Sequence, residues 1–390
     1  MSAGPAVIFD RLRDSALHPI GEKVRRGERL TAADAVTLYQ TPDILGVGHL
    51  ADAVNRARHG DVVTFASNQH INPTNVCVLR KTCVFCGYAR LPKEEGAYRY
   101  TLEQVLGEAA QATDSMTREF HIVGGLDMQA GLEYYTTMFR ALKAAHPQVH
   151  IKALTAVEIA HIARIEKLTW TEVLVALREA GLDTLPGGGA ETFSAAVRDV
   201  IADKKLGGAD YIGVHRAAHA LGIRSNCTML YGHVETIADR VEHLTMLRDL
   251  QDETGGFLAY IPLAYHPDDN ELGKTLGRQG TSTTGFDDLR NLAVGRLYLD
   301  NFAHVKSHWI MVSPALTQVA LAFGVNDIEG TVVREKIYHA VGAQTKQGMS
   351  LDELLKLIRG AGKQPAERDS FYRVLRTFDD EPAALAVAAA

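Results

Sequence analysis

From Thr64 onward, short runs rich in β-branched and aromatic residues alternate with longer stretches whose apolar positions recur every three to four residues. The first pattern predicts strands and the second predicts helices packed against them. Eight runs read as strands: 69–76, 119–123, 149–155, 182–185, 223–230, 257–263, 303–310 and 319–325. The last is the weakest, because its pattern also suits a helix up to Phe323. Thr101 with Gln104, Thr169 with Glu172 and Ser350 with Glu353 each form a capping-box pair ahead of an apolar stripe, which predicts three helix starts. Gly181 can close the second of these helices. Strands alternating with helices predict the α/β class and a TIM-type (β/α) barrel. A doubly wound open sheet is the second reading, since periodicity does not show closure. Residues 1–60 read as a helical N-terminal cap, 61–375 as the barrel with its C-terminal completion, and the alanine-rich 376–390 as a frayed tail.

Composition narrows the partners. A net charge of −6 argues against nucleic acid, which needs a basic face. No apolar run approaches the roughly 18 residues of a membrane span. Residues 1–10 lack the basic segment and apolar core of a signal peptide. Three of the four cysteines are bunched, which makes a poor disulfide framework and suits a reducing cytosol, so a cytoplasmic location is expected.

The bunched cysteines, Cys77, Cys83 and Cys86, fall within ten residues. Three thiolates can hold soft metal, and an odd number leaves one iron of a four-iron cluster without a protein ligand. The alternative is a zinc knuckle, but zinc usually takes four ligands, and the nearest histidine, His70, is expected to point elsewhere from its strand. Five residues separate Cys77 from Cys83, and Arg80-Lys81 suit a solvated bulge that absorbs the extra length. Cys227 alternates with Asn226 and Thr228 on its strand and reads as a buried structural thiol.

Other segments sit where strands end. Gly124-Gly125 closes the second run and Gly187-Gly188-Gly189 the fourth, either as plain turns or as close approaches to a ligand. Glu191 follows as a hydrogen-bond acceptor or a helix-start carboxylate. Thr155, Glu158, Asn226, Thr228, Tyr231 and His233 lie on or beyond the third and fifth runs. His304, Lys306 and His308 alternate onto one face of the seventh, where they would line a pocket for an anion or form a solvated edge. His266 and Arg290 or Arg296 could add to such a pocket.

The cysteine loop, with Phe85 before the last cysteine and Gly87-Tyr88 after it, resembles that of the radical S-adenosylmethionine (SAM) superfamily. The common spacing there is C-x3-C-x2-C, so the longer first gap is a departure. Residues 70–75, 186–191, 229–236, 250–257, 261–267 and 323–331 together resemble the radical SAM enzymes of menaquinone and deazaflavin biosynthesis, over about residues 20–375. His121-Ile122-Val123-Gly124-Gly125 and Leu230-Tyr231-Gly232 look most like the aminofutalosine synthase family. Its sisters, the cyclic dehypoxanthinyl futalosine synthases and the deazaflavin (FO) synthase subunit, remain alternatives, as does a non-catalytic iron–sulfur or zinc-binding protein.

The resemblance implies a 4Fe–4S cluster on Cys77, Cys83 and Cys86, and SAM as a consumed substrate bound near Phe85, Tyr88, Gly124, Gly125 and Glu191. It implies that a 5′-deoxyadenosyl radical adds to 3-[(1-carboxyvinyl)oxy]benzoate, and that loss of a carboxyl carbon as bicarbonate leaves 6-amino-6-deoxyfutalosine. Asn226, His266, Lys306 and His308 are candidate contacts for the substrate's carboxylates. An electron donor is a further implied partner; no catalytic acid, base or radical-quenching residue is singled out.

Overall fold

The computed structural model describes residues 4–111, 117–278 and 282–378. Ten strands follow in order: β1 (Val62–Phe65), β2 (Asn68–Ile71), β3 (Glu119–Ile122), β4 (His150–Ala153), β5 (Ser225–Tyr231), β6 (Phe257–Ala264), β7 (His304–Ser307), β8 (Asp327–Ile328), β9 (Gln364–Arg368) and β10 (Val374–Thr377). They form a seven-stranded sheet ordered β10-β9-β1-β8-β7-β6-β5 and a three-stranded sheet ordered β2-β3-β4. All pairings are parallel except β9 with β10.

Single bridges flank both edges of the three-stranded sheet. Lys152 pairs with Thr184 and Leu185 with Ser225, so residues 184–185 act as a stave between β4 and β5. Gln69 pairs with Val333, which follows β8. The two parallel sheets are thus arranged as an α/β barrel wall whose ladder is reduced to isolated bridges at two seams.

The capping boxes at Thr101, Thr169 and Ser350 are all formed, and their helices span Leu102–Ala110, Trp170–Glu179 and Leu351–Gly360. The N-terminal region is helical, as its pattern predicts: His18–Arg26, Ala32–Gln40 and Ile44–His59. It docks on helix Gly285–Tyr298, where Tyr39 Oη donates to Asn291 Oδ1 at 2.5 Å and Arg290 donates to the carbonyls of Leu38, Tyr39 and Thr41.

The eighth run is corrected. Residues 319–325 are not a strand: Ser313 and Pro314 start helix Pro314–Ala320, and the chain then turns at Gly324, φ +88°. The eighth stave is instead β8, whose Asp327 reads as polar although it is fully buried. Arg368 of β9 donates to it at 2.5 and 2.9 Å, and Thr64 of β1 at 2.6 Å. β1, β9 and β10 extend the sheet beyond β8. Of the tail expected to fray, Arg376 and Thr377 belong to β10, and 379–390 lie outside the described residues.

Candidate active site

A cavity of about 280 Å³ opens at the carboxyl ends of the staves, the end at which barrel enzymes carry their chemistry. Cys77, Cys83, Cys86, Phe85 and Tyr88 line it on one side, and Gly124, Gly125, Glu158, Gly188 and Glu191 line it from the turns after β3, β4 and residues 184–185.

The cysteine loop is pinned by backbone. Cys77 N donates to Arg90 O at 2.9 Å, Val78 N to Leu126 O at 3.0 Å and Val84 N to Ile201 O at 3.0 Å, while Val84 O accepts from Leu272 N at 2.8 Å. The long first gap folds into successive tight turns: Arg80 N donates to Cys77 O, and both Thr82 N and Cys83 N to Leu79 O. Leu79 faces the cavity, Lys81 is exposed, and Arg80 pairs with Glu94 at 3.4 Å. The extra residues thus fold within the loop, and all three cysteines still line the cavity.

The three thiols are free. Burial pushes Cys77 up and Cys83 up to about 12, so metal ligation is what would deprotonate them here. Among the described residues no three His, Cys, Asp or Glu side chains converge on a single-ion site. Three thiols without a fourth ligand suit a four-iron cluster with one open iron better than one tetrahedral zinc.

The glycine turns serve the loop first. Gly125 N donates to Thr74 O at 2.9 Å, and a Cβ at Gly125 would fall on the Val76 carbonyl oxygen, next to Cys77. Gly187, at φ +83°, would likewise drive a Cβ into the Asn226 carbonyl. Gly188 has more room, with Thr155 Cγ2 3.2 Å from its notional Cβ. Gly125→Val should therefore cost about 1–3 kcal/mol and lower the iron retained after reconstitution, whereas Gly188→Ala should keep both near wild type. Equal iron in the two variants would remove this packing argument.

Glu158 joins two of these turns. Its Oε1 accepts from Gly124 N at 2.9 Å and its Oε2 from Thr155 N at 2.7 Å, closing a capping box on helix Ala156–Glu166. Burial, partly offset by these bonds, pushes its carboxyl up to about 7. Glu191, in the left-handed region at φ +51°, is ion-paired with Lys205. The Lys205 ammonium also stands 5.4 Å from the Phe85 ring centroid, a cation–π contact. Lys205 carries no sequence signal, because the pair Lys204-Lys205 matches no motif. Tyr88 Oη shares a 2.7 Å hydrogen bond with Tyr98 Oη.

The four candidate substrate contacts separate by depth. His266 and His308 line the cavity; Asn226 and Lys306 do not. His304, Lys306 and His308 do share a face, but alternate residues lie about 7 Å apart along the strand. Lys306 falls one layer below His308, held by Glu329 at 3.2 Å and Asp327 at 3.5 Å. His304 lies lower still, 4.4 Å from the Tyr372 ring centroid. Asn226 lies below Thr228 on β5, and its Oδ1 accepts from Tyr372 Oη at 3.4 Å. Arg290 and Arg296 are also off the cavity; Arg296 is buried against Gly324 O, Ala303 O and Asn326 Oδ1. His70, expected to point away, lines the cavity. Cys227 is fully buried, as its alternation predicts.

Residues 71–247 match the radical SAM superfamily, and residues 254–380 match the CofH/MqnC C-terminal region. Aminodeoxyfutalosine synthase of Thermus thermophilus is 45% identical over 94% of this chain and 98% of its own length. The chain belongs to the aminodeoxyfutalosine synthase family. Cyclic dehypoxanthine futalosine synthase of Streptomyces coelicolor is 36% identical, over 93% of this chain and 90% of its own. The crystal structure of methylornithine synthase shares the fold at a TM-score of 0.71 and 16% identity, covering 89% of this chain and 97% of that one. As an aminodeoxyfutalosine synthase family member the chain is a radical SAM enzyme of the futalosine pathway to menaquinone, with a 4Fe–4S cluster and SAM as cofactors. Among the described residues no helix is long and apolar enough to cross a membrane.

Proposed function

We propose that this enzyme joins the adenosyl group of SAM to 3-[(1-carboxyvinyl)oxy]benzoate, releasing methionine and one carboxyl carbon as bicarbonate to yield 6-amino-6-deoxyfutalosine, and that it works in the reducing cytosol with a separate electron donor. The supporting observation is one cavity lined by three free cysteines, in a chain 45% identical to an aminodeoxyfutalosine synthase. When bound, the cluster and SAM supply a 5′-deoxyadenosyl radical. Cys77, Cys83 and Cys86 would hold the cluster. Glu158 keeps the Gly124 turn in place, and Glu191, paired with Lys205, would offer a carboxylate to the SAM ribose. The apolar wall of Leu79, Leu126, Val157 and Leu230 excludes water and keeps the reacting carbons together.

Carbon label in the adenosyl group should appear in a nucleoside larger than 5′-deoxyadenosine when anaerobically reconstituted enzyme meets SAM, reductant and the enolpyruvyl benzoate. Stoichiometric 5′-deoxyadenosine without an adduct would transfer the chain to a hydrogen-abstracting sister, such as the cyclic dehypoxanthine futalosine synthases.

A further inference from the structure

The cavity wall is acidic, which is a difficulty for a dicarboxylate. Among the described residues it presents four carboxyl groups, Glu158, Glu191, Glu329 and Glu335, and one ammonium, Lys205, which Glu191 already engages. An anion brought out of water needs N–H donors to replace its hydration. The side-chain N–H donors left on the wall are imidazoles.

His70 and His121, at the tips of β2 and β3, stack with ring centroids 4.5 Å apart and planes at 18°. His308 follows β7, edge-on to Tyr338 at 5.4 Å. All three line the cavity. His70 is 6% exposed and His308 7%, yet His70 Nε2 and His308 Nδ1 are buried without a hydrogen-bond partner. A buried polar atom left unpaired costs about 1–3 kcal/mol, which a ligand can recover.

The neighbouring carboxylates are occupied. Glu329 accepts from Asn68 Nδ2 at 2.7 Å and from Lys306 at 3.2 Å. Glu335 accepts from Ile337 N at 2.6 Å, Tyr338 N at 2.9 Å and, with His339 Nδ1, shares a 2.7 Å contact. The charges facing His308 are Glu329, Glu335 and Lys306, with His70 beside them; those facing His70 are Glu329, Glu335, Glu119 and Lys306, with His121 stacked on it. Burial outweighs the carboxylates, lowering His70 and bringing His308 down to about 4, so at neutral pH each is an uncharged ring with one N–H.

We propose that His70 and His308 hold the ring carboxylate of the acceptor and thereby make the enzyme selective for an aryl carboxylate. This rests on the acceptor proposed above. The alkene and the carboxylate it carries must face SAM at the cysteine loop, which leaves the carboxylate across the benzene ring for the barrel wall.

The test is equilibrium binding to reconstituted enzyme holding S-adenosylhomocysteine, which generates no radical. The two probes are 3-[(1-carboxyvinyl)oxy]benzoate and 2-phenoxyacrylate, which lacks the ring carboxylate. Wild type should prefer the dicarboxylate by roughly tenfold or more, as one charge-assisted hydrogen bond allows. His70→Leu and His308→Leu should each erase most of that preference while leaving phenoxyacrylate affinity, iron content and S-adenosylhomocysteine binding unchanged. His308→Gln, which keeps an N–H, should restore much of it. Leu variants that keep the wild-type preference would overturn the assignment. A wild type that binds neither probe would instead defeat the acceptor reading, and this inference with it.

Discussion

Cys77→Ala, Cys83→Ala and Cys86→Ala should each abolish SAM cleavage, with losses of roughly 10³-fold or more, because ligands that act as one unit fail together. The geometry behind this is a loop pinned at Cys77, Val78 and Val84 by partners from residues 90, 126, 201 and 272, which fixes all three thiols relative to one cavity. Iron and acid-labile sulfide should fall with the activity. Cys227→Ala is the control: that thiol is fully buried, its Sγ lying 3.7 Å from Ala259 O. It should cost about 1–2 kcal/mol through lost packing and leave cluster and activity near wild type. A purified protein holding one stoichiometric zinc and no iron after anaerobic reconstitution would sink the cluster assignment.

Asp327→Ala should produce the largest loss of stability, about 3–5 kcal/mol, because it strands buried cations. Asp327 is fully buried, and so is its partner Arg368, which donates to both its oxygens; Lys306 stands 3.5 Å away. Burial pushes the Asp327 carboxyl up, but Arg368 and then Lys306 bring it below its ordinary value. A depressed folded pKa means the stabilisation is complete above the unfolded value of about 3.9 and is lost as pH falls through the folded one. The gap between wild type and variant in denaturant unfolding should therefore be full at pH 7 and narrow only below about pH 4. An undiminished variant at pH 7 would show that β8 is not held by this ion pair.

That pair also explains a gap in the sequence reading. β8 and β9 place Asp327, Glu367 and Arg368 in the interior, so their runs look polar and carry no strand pattern. The apolar pattern of 319–325 predicts the eighth strand, and there the chain forms a helix end and a turn. Where apolar residues run along most of a strand, as in β5 and β6, the predicted and observed strands agree within two residues at either end.

Among the candidate ligands, local chemistry was legible and depth was not. Cys77, Cys83 and Cys86 are close in sequence, so one loop brings them together whatever the rest of the chain does. The same holds for the capping boxes, whose partners are three residues apart. A period of two names the face of a strand and says nothing of height along the barrel, so Lys306 and His308 read as equivalent although only His308 reaches the cavity.

The sequence by itself therefore determined what short-range covalent spacing controls: the cysteine loop, the helix starts, the alternation of staves and helices, and the family those motifs mark. Tertiary structure alone decided what depends on residues far apart in the chain. It set Lys205 against Glu191, turned His70 into the cavity beside His121 and His308, and engaged Lys306 with Asp327 and Glu329. Those choices rest on ion pairing and desolvation inside a barrel, where a charge's role follows from which distant group it meets.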